Sequence, residues 1–327
     1  MRKFGILAGL LVLLLAAAPA FAGPITIKFS HVVAVDTPKG QAAEYFKKLV
    51  EERSNGEIKV EVYPNSSLFD DKDIMTPLMT NAVQMAAPSF SKFTSFAPNL
   101  QLVDLPFLFN DADHLHKVLA GEVGQKILDT VGKKGLVGLS FWDSGFKQLS
   151  ANKPLLMPAD AAGLKFRIMS SKVLEAQFKA VNANPQVLPF SEVYSALQQG
   201  VVDACENPLS NFYTKKFYEV QSDLTMSNHG YLGYLVVTNK IFWSKLNDQQ
   251  KTLITQAMKE ATQYGNDLAL KMDLDYLAKV KESGKTTVHE LTPAQRKAWQ
   301  EAMMAIYPEF YDVIGKDLID AALAAGK

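Results

Sequence analysis

From Asp248 to Ser283 the chain carries no proline, and Leu253, Ala257, Met258, Ala261, Tyr264, Leu268, Met272 and Leu277 recur at helical spacing. A helix of that span is about three times the mean of roughly 11–12 residues. One compact lobe does not need it, so the spacing predicts a helix running along two lobes, with Gly265 the expected place for a bend. Much of the rest reads as alternating strands and helices. Ile25, Ile27 and Phe29 alternate as a first strand, and Asp36 or Thr37 caps a following helix that has Pro38 in its first turn. Ala42, Tyr45, Phe46 and Leu49 form the apolar stripe of that helix, Asn55-Gly56 ends it, and Ile58, Val60 and Val62 make the next strand. Further strands are expected near 83–87, 136–141, 164–169, 186–188, 201–204 and 232–238, giving an α/β fold with helix-covered sheets.

Upstream, Arg2 and Lys3 precede an apolar run from Phe4 to Ala18, and Ala20-Phe21-Ala22 provides a small-x-small cleavage site. This pattern predicts an export signal over residues 1–22, with Gly23 as the mature N-terminus. No later apolar run is long enough to span a bilayer, so no stable membrane insertion is expected. Of the residues, 48% are hydrophobic and 21% charged, which suits a large buried core rather than a disordered chain. Lys and Arg number 34 against 34 Asp and Glu, a balance that gives no support to a nucleic-acid partner. Cys205 stands alone, so the exported chain has no internal disulfide, and the thiol reads as a buried small hydrophobe.

Catalytic signatures are scarce. The sequence contains no Gly-x-Ser-x-Gly elbow, phosphate loop, Gly-x-Gly-x-x-Gly or His-Glu-x-x-His. His114 and His116 are two apart and diverge on a helix, which argues against a metal site; no cofactor is expected. Polar and basic groups instead gather at strand ends and helix starts. Lys39 lies in the first turn after Pro38, where free N–H groups favour anions. Ser89 and Lys92 follow the strand to Ala87, Lys147 follows the strand to Phe141, and Asn207 follows the strand to Ala204. In Gly163–Met169, Leu164, Phe166 and Ile168 face one side while Arg167 projects from the other near the strand's C-terminal end. There it is either an exposed surface arginine or a planar fork matched to a carboxylate. Phe190 either staples the short helix Ser191–Gly200 or walls a cleft. Their shared placement argues for a cleft that collects an anion.

The ordered series HVVAVDTPKG (31–40), PSFSKF (88–93), DLPFLF (104–109), KQLSAN (147–152), GLKFRI (163–168), VLEAQF (173–178), FSEVYSAL (190–197) and GVVDACENPLSN (200–211) resembles the solute-binding proteins of TRAP transporters. The likeness covers nearly the whole mature chain and is to the C4-dicarboxylate-binding (DctP) branch. It implies a two-lobed periplasmic-binding-protein fold with mixed sheets and a long helix bracing both lobes. It further implies a periplasmic location, a small carboxylate ligand such as succinate, malate or fumarate, and the small and large TRAP membrane subunits as partners. By resemblance, Arg167 pairs with the ligand carboxylate, Asn207, Asn211 and Lys147 join it, and His31, Lys39, Ser89, Lys92 and Phe190 border the cleft. The implied division is a first lobe of 23–148 plus 232–265 and a second of 149–231 plus 266–327, joined by a crossover over Lys147–Pro158.

Two positions depart from the pattern. Asp143-Ser144-Gly145 stands where a neutral turn is expected, and Leu209 stands where a tryptophan is. An acid at 143 facing the pocket would repel a dianion, so Asp143 is expected to be turned outward or paired. The resemblance points to a binding protein; an exported enzyme on the same scaffold and a ligand-sensing module are the competing function classes.

Overall fold

The computed structural model of the chain describes residues 25–326; the export signal and its cleavage site lie outside them. Nine strands form one mixed sheet: β1 (Ile25–Ser30), β2 (Ile58–Tyr63), β3 (Met85–Ala86), β4 (Leu136–Ala151), β5 (Lys165–Ile168), β6 (Asn184–Val187), β7 (Ala204–Asn207), β8 (Asp223–Asn239) and β9 (Thr287–Glu290). Their order is β2-β1-β3-β8-β4-β7-β5-β6, with β9 on β8. At one end β1, β2 and β3 are parallel; at the other β5, β6 and β7 are parallel. The antiparallel pair β4–β8 lies between them and reaches from Leu136↔Asn239 to Ala151↔Asp223.

That pair changes the expected connection. Instead of an extended crossover beginning at Lys147, β4 continues unbroken through Ala151, and β8 starts at Asp223, well before the expected 232. Both strands pass from one half of the molecule to the other. Register shifts at Gly138/Ser140, Asp143/Gly145 and Lys147/Leu149 let β4 bend and twist on the way. The shift at Asp143/Gly145 is made by Gly145 at φ 132°, a conformation side chains disfavour. β7 begins three residues later than the hydrophobic run implied, which places Asn207 inside a strand rather than after it.

The helix Asp248–Glu282 is 35 residues long and opens with a reciprocal Asn247/Gln250 capping box. Its buried seam is Ile254, Ala257, Met258, Ala261, Gly265, Ala269, Tyr276 and Val280, rotated from the expected stripe, so Tyr264 faces outward. Gly265 lies within that seam. The helix runs on through this residue, and a Cβ there would sit 2.7 Å from the Cβ of Ala42 on helix Pro38–Arg53. Glycine is present because two helices touch at that point. The N-terminal part of the long helix packs with Phe29, Phe46 and Trp142, while Tyr276 and Val280 pack with Phe190, Val193, Phe212 and Phe217. One helix thus braces both lobes.

The tail of the chain packs on a helix of the first half of the sequence. Helix Lys316–Ala325 buries Leu318, Ile319 and Ala322 against Leu115, Val118 and Leu119 of helix Ala112–Ala120. His114 Nε2 and Lys117 Nζ bond the carbonyls of Ala322 and Ala325 at 2.7 and 2.9 Å. Residues 316–325 thus pack on helix Ala112–Ala120.

Candidate ligand-binding cleft

A narrow cleft lies where the long strands pass between the two halves. From the first half it is walled by Val32, Val33, Asp71 and Ser89, and from the second by Arg167, Met169, Phe190, Glu206, Asn207 and Asn211. Lys147, Leu232 and Tyr234 complete it from β4 and β8. Segments from both sides also meet directly: Ser191 Oγ donates to Asp70, Lys215 Nζ reaches Asn65 Oδ1 at 3.2 Å, and Tyr276 Oη donates to the Asp36 carbonyl at 2.8 Å.

Arg167 leaves β5 buried, at 2% exposure. Its Nε and Nη2 donate to the Leu188 carbonyl at 3.1 and 2.8 Å. These two nitrogens form one edge of the guanidinium. The other edge, with its parallel Nη1 and Nη2 hydrogens, has no partner among the described residues. The Leu188 carbonyl fixes the plane and leaves a two-pronged donor in the cleft, the geometry that binds a carboxylate. The arginine is not on an exposed strand. Phe190 walls the cleft, with the Arg167 guanidinium 5.9 Å from its ring centroid, and it packs edge-on against Phe217. Ser191 does not cap the helix Val193–Gln198; its hydroxyl is taken by Asp70.

The neutral donors are open too. Ser89 Oγ is buried without a hydrogen-bond partner among the described residues, and Asn207 Nδ2 has only the Cys205 sulfur, at 3.5 Å. Asn211 lines the cleft beside Asn207. Cys205 is fully buried, and burial pushes its thiol up, which suits an inert side chain.

Lys147 differs from expectation. It lies inside β4 and lines the cleft, but its ammonium is 2.7 Å from Glu206 Oε1. The second Glu206 oxygen accepts from His229 Nε2 at 2.8 Å and from Gln177 Nε2 at 3.3 Å. Burial alone would raise the Glu206 carboxyl, but Lys147 and His229 outweigh it and hold the group down at about 2. Burial keeps His229 neutral, so its Nε2–H donates to Glu206 and its Nδ1 accepts from Ser227 Oγ. The Lys147 charge is therefore already matched within the protein.

The remaining basic candidates are spread around the cleft. Lys92 is partly buried and outside the wall, with Asp71 and Arg167 both near enough to act on its charge. His31 is buried behind Val32 with neither ring nitrogen hydrogen-bonded; burial, with Lys39 close by, takes it down to about 3, so it is neutral. Lys39 is buried behind Tyr234, its Nζ 3.5 Å from the ring centroid and 3.0 Å from the Ala87 carbonyl. Thr37, not Asp36, caps its helix, accepting from the Gly40 N–H at 3.1 Å.

Asp143 is paired. Its carboxylate meets His116 Nε2, its backbone N–H donates to Asn266 Oδ1 at 3.0 Å, and it does not line the cleft. The bond to Asp143 raises the His116 pKa. His114 points instead to the C-terminal helix, and the described residues contain no His, Cys, Asp and Glu cluster suited to a metal. Leu209 packs in the apolar cluster beneath the cleft.

Sequence reasoning missed Asp71, Met169, Glu206, Leu232 and Tyr234. Asp71 reads as part of the solvated run Asp70-Asp71-Lys72-Asp73, and Glu206 could have been suspected only from its place beside Asn207 in a strand buried on both faces.

The architecture recurs in known proteins. Residues 29–313 match the family described as bacterial extracellular solute-binding protein, family 7. The chain is 50% identical to the C4-dicarboxylate-binding periplasmic protein DctP of Rhodobacter capsulatus over 99% of this chain and 98% of that one. A TRAP periplasmic solute-binding protein from Sulfurospirillum deleyianum, solved with bound succinate, superposes with a TM-score of 0.91 at 60% identity, covering 93% of this chain and 99% of that one. One from Pseudomonas aeruginosa, with bound L-malate, gives 0.86 at 41% identity, covering 88% and 100%. With the two-lobed fold, the bracing helix and this match along nearly its whole length, the chain belongs to the DctP family of TRAP-transporter solute-binding proteins.

Proposed function

We propose that the protein captures a C4-dicarboxylate of the succinate and malate class between its lobes and delivers it to the membrane subunits of a TRAP permease. The observation that carries this reading is the buried Arg167, one edge locked on the Leu188 carbonyl and the other open in the cleft. A carboxylate taken out of water needs directed donors to replace its hydration, and Arg167, Ser89, Asn207 and Asn211 supply them. The ligands bound by the Sulfurospirillum and Pseudomonas proteins support the same class. Lys147 acts at one remove, by holding Glu206 beneath the site.

Binding without chemistry is the reading that fits this cleft: Glu206 is matched by two partners, and no nucleophile stands beside a base in its wall. The first lobe is formed by described residues 25–148, 232–265 and the C-terminal helix, and the second by the intervening segments, the boundary running through β4 and β8. A ligand held by groups from both sides favours closure through its greater affinity for the closed state. Export depends on the signal over residues 1–22, with cleavage after Ala22 placing the mature protein in the periplasm.

Calorimetric titration with succinate, malate and fumarate against butyrate tests the ligand class. Tight, stoichiometric binding of the dicarboxylates, with the ligand recovered unchanged by mass spectrometry, is expected. Equal affinity for butyrate, or turnover of the acid, rules the reading out. N-terminal sequencing of periplasmic protein should begin at Gly23.

A further inference from the structure

The two halves of the protein are joined beside the cleft by residues that do not line it. Asp70 and Ser191 are absent from the wall, yet each is next in sequence to a residue that forms it, Asp71 on the first half and Phe190 on the second. Ser191 Oγ donates to Asp70 Oδ2, linking positions 121 residues apart in the chain. The serine gives up a local role to do so. A serine just ahead of a helix ordinarily caps it, but helix Val193–Gln198 begins without a side-chain cap, as does the single turn Phe190–Glu192. Asp70 has little else. Its Oδ1 is buried without a hydrogen-bond partner, and Ser191 is the only side-chain donor to this carboxylate among the described residues.

The same first-half segment is held a second time. Asn65, at φ 54° in the turn before Asp70, accepts from Lys215 Nζ of the second half at 3.2 Å. Burial lowers the Lys215 pKa and the Asp70 charge opposes that shift, so the acid also attracts this cation across the boundary. When the halves part, Asp70, Ser191 and Lys215 exchange one another for water. Their interactions therefore favour the closed arrangement alone.

We propose that Asp70 and Ser191 are positioning residues that latch the cleft: their bond holds together the walls that carry Asp71 and Phe190, and strengthens ligand binding without touching the ligand. This rests on the reading that the lobes close on a ligand, and adds the groups that keep them closed. A latch has a signature of its own. A residue in contact with the ligand discriminates between acids, whereas a latch scales every affinity by one factor, the change in the closed fraction. An interaction made only on closing also governs escape of the ligand more than its capture.

The test is calorimetry and stopped-flow dissociation with succinate and malate on wild type, Ser191→Ala, Asp70→Ala, the double variant and Ser191→Thr. Each alanine variant should weaken both acids by the same factor, about 3- to 10-fold, the scale of one charge-assisted bond discounted for its exposed position. The loss should lie in faster dissociation. The double variant should lose no more than the weaker-binding single variant, because both substitutions remove the same bond. Ser191→Thr keeps the hydroxyl and should bind within about 2-fold of wild type. Ser191 is exposed, so Ser191→Ala and Ser191→Thr decide the matter even if Asp70→Ala fails to fold. Losses that add in the double variant, that differ between the two acids, or that are absent overturn the latch and leave the closure reading intact. Wild-type protein that binds both acids with no change in its radius of gyration by small-angle scattering overturns the closure reading and the latch with it.

Discussion

Lys147 Nζ lies 2.7 Å from Glu206 Oε1, with both side chains 1% exposed. Removing one partner would leave the other as a lone buried charge, which typically costs about 3–5 kcal/mol. Lys147→Met and Glu206→Leu should each destabilise the ligand-free protein by that order, and the double variant by less than their sum. Urea unfolding measures all three. The pH dependence follows from Glu206, held at about 2 against an ordinary value of 4.5. A depressed carboxyl contributes stability above its unfolded pKa and loses it as pH falls to the folded one. The acid limb between about pH 4.5 and 2 should therefore flatten in Glu206→Leu.

Arg167 should behave in the opposite way, mattering for ligand more than for fold. Its open edge can give a carboxylate two charge-assisted bonds worth roughly 1.5–3 kcal/mol each. Arg167→Ala should weaken succinate by on the order of a hundredfold or more. Arg167→Lys keeps the charge without the fork and should recover only part of that affinity. Lys92→Ala should cost less than either, since Lys92 stands outside the wall and its charge is better screened. Titration calorimetry on the three variants checks the order. Wild-type affinity in Arg167→Ala would show that the ligand sits elsewhere.

What the sequence revealed and what it hid divide along physical lines. The long helix, the cap at Thr37 and the strand carrying Arg167 were legible because spacing and capping are local properties. The unbroken run of β4 through Ala151 was not, because its continuation depends on pairing with β8 some 72 to 83 residues away. The packing role of Gly265 was hidden for a related reason. In sequence a helical glycine suggests flexibility, and only the approach of Ala42 reveals that it is there to be small. Charge was the least legible property. Lys147, Lys92 and Lys39 look alike in sequence, yet one is neutralised by Glu206, one stands aside, and one is buried without a carboxylate. Resemblance supplied the cleft, but not which of its cations remain available.

The contact between Gly265 and Ala42 gives a direct test of how the long helix is seated. Gly265→Val would drive a branched side chain into helix Pro38–Arg53, where even a Cβ comes within 2.7 Å of the Ala42 Cβ. Overpacking of this kind costs about 1–3 kcal/mol. Gly265→Ala should cost less, because alanine gains helix propensity of about 1 kcal/mol over glycine. Thermal unfolding of the pair separates the two effects: a stabilised Gly265→Val would mean that the helices do not touch there.

Two acids flank the bend of β4 at Gly145, and only one is matched. Asp143 is paired with His116. Asp273, on the long helix, has a buried Oδ1 with no hydrogen-bond partner among the described residues, and a Cβ at Gly145 would lie 3.2 and 3.3 Å from its two oxygens. Burial raises its carboxyl from 3.8 to about 7. The sign follows directly. Between about pH 4 and 7 the folded protein holds a proton there that the unfolded chain has released, so stability falls as pH rises through this window and levels off above it. Asp273→Asn keeps the shape and removes the charge. It should stabilise the protein at pH 8 by about 1–3 kcal/mol, the cost of an unsatisfied buried polar group, and change it little at pH 4, where the wild-type carboxyl is already neutral. Urea unfolding of both proteins at the two pH values decides the matter. An equal effect at pH 4 and pH 8 would mean that Asp273 ionises without penalty and that the bend of β4 carries no buried charge.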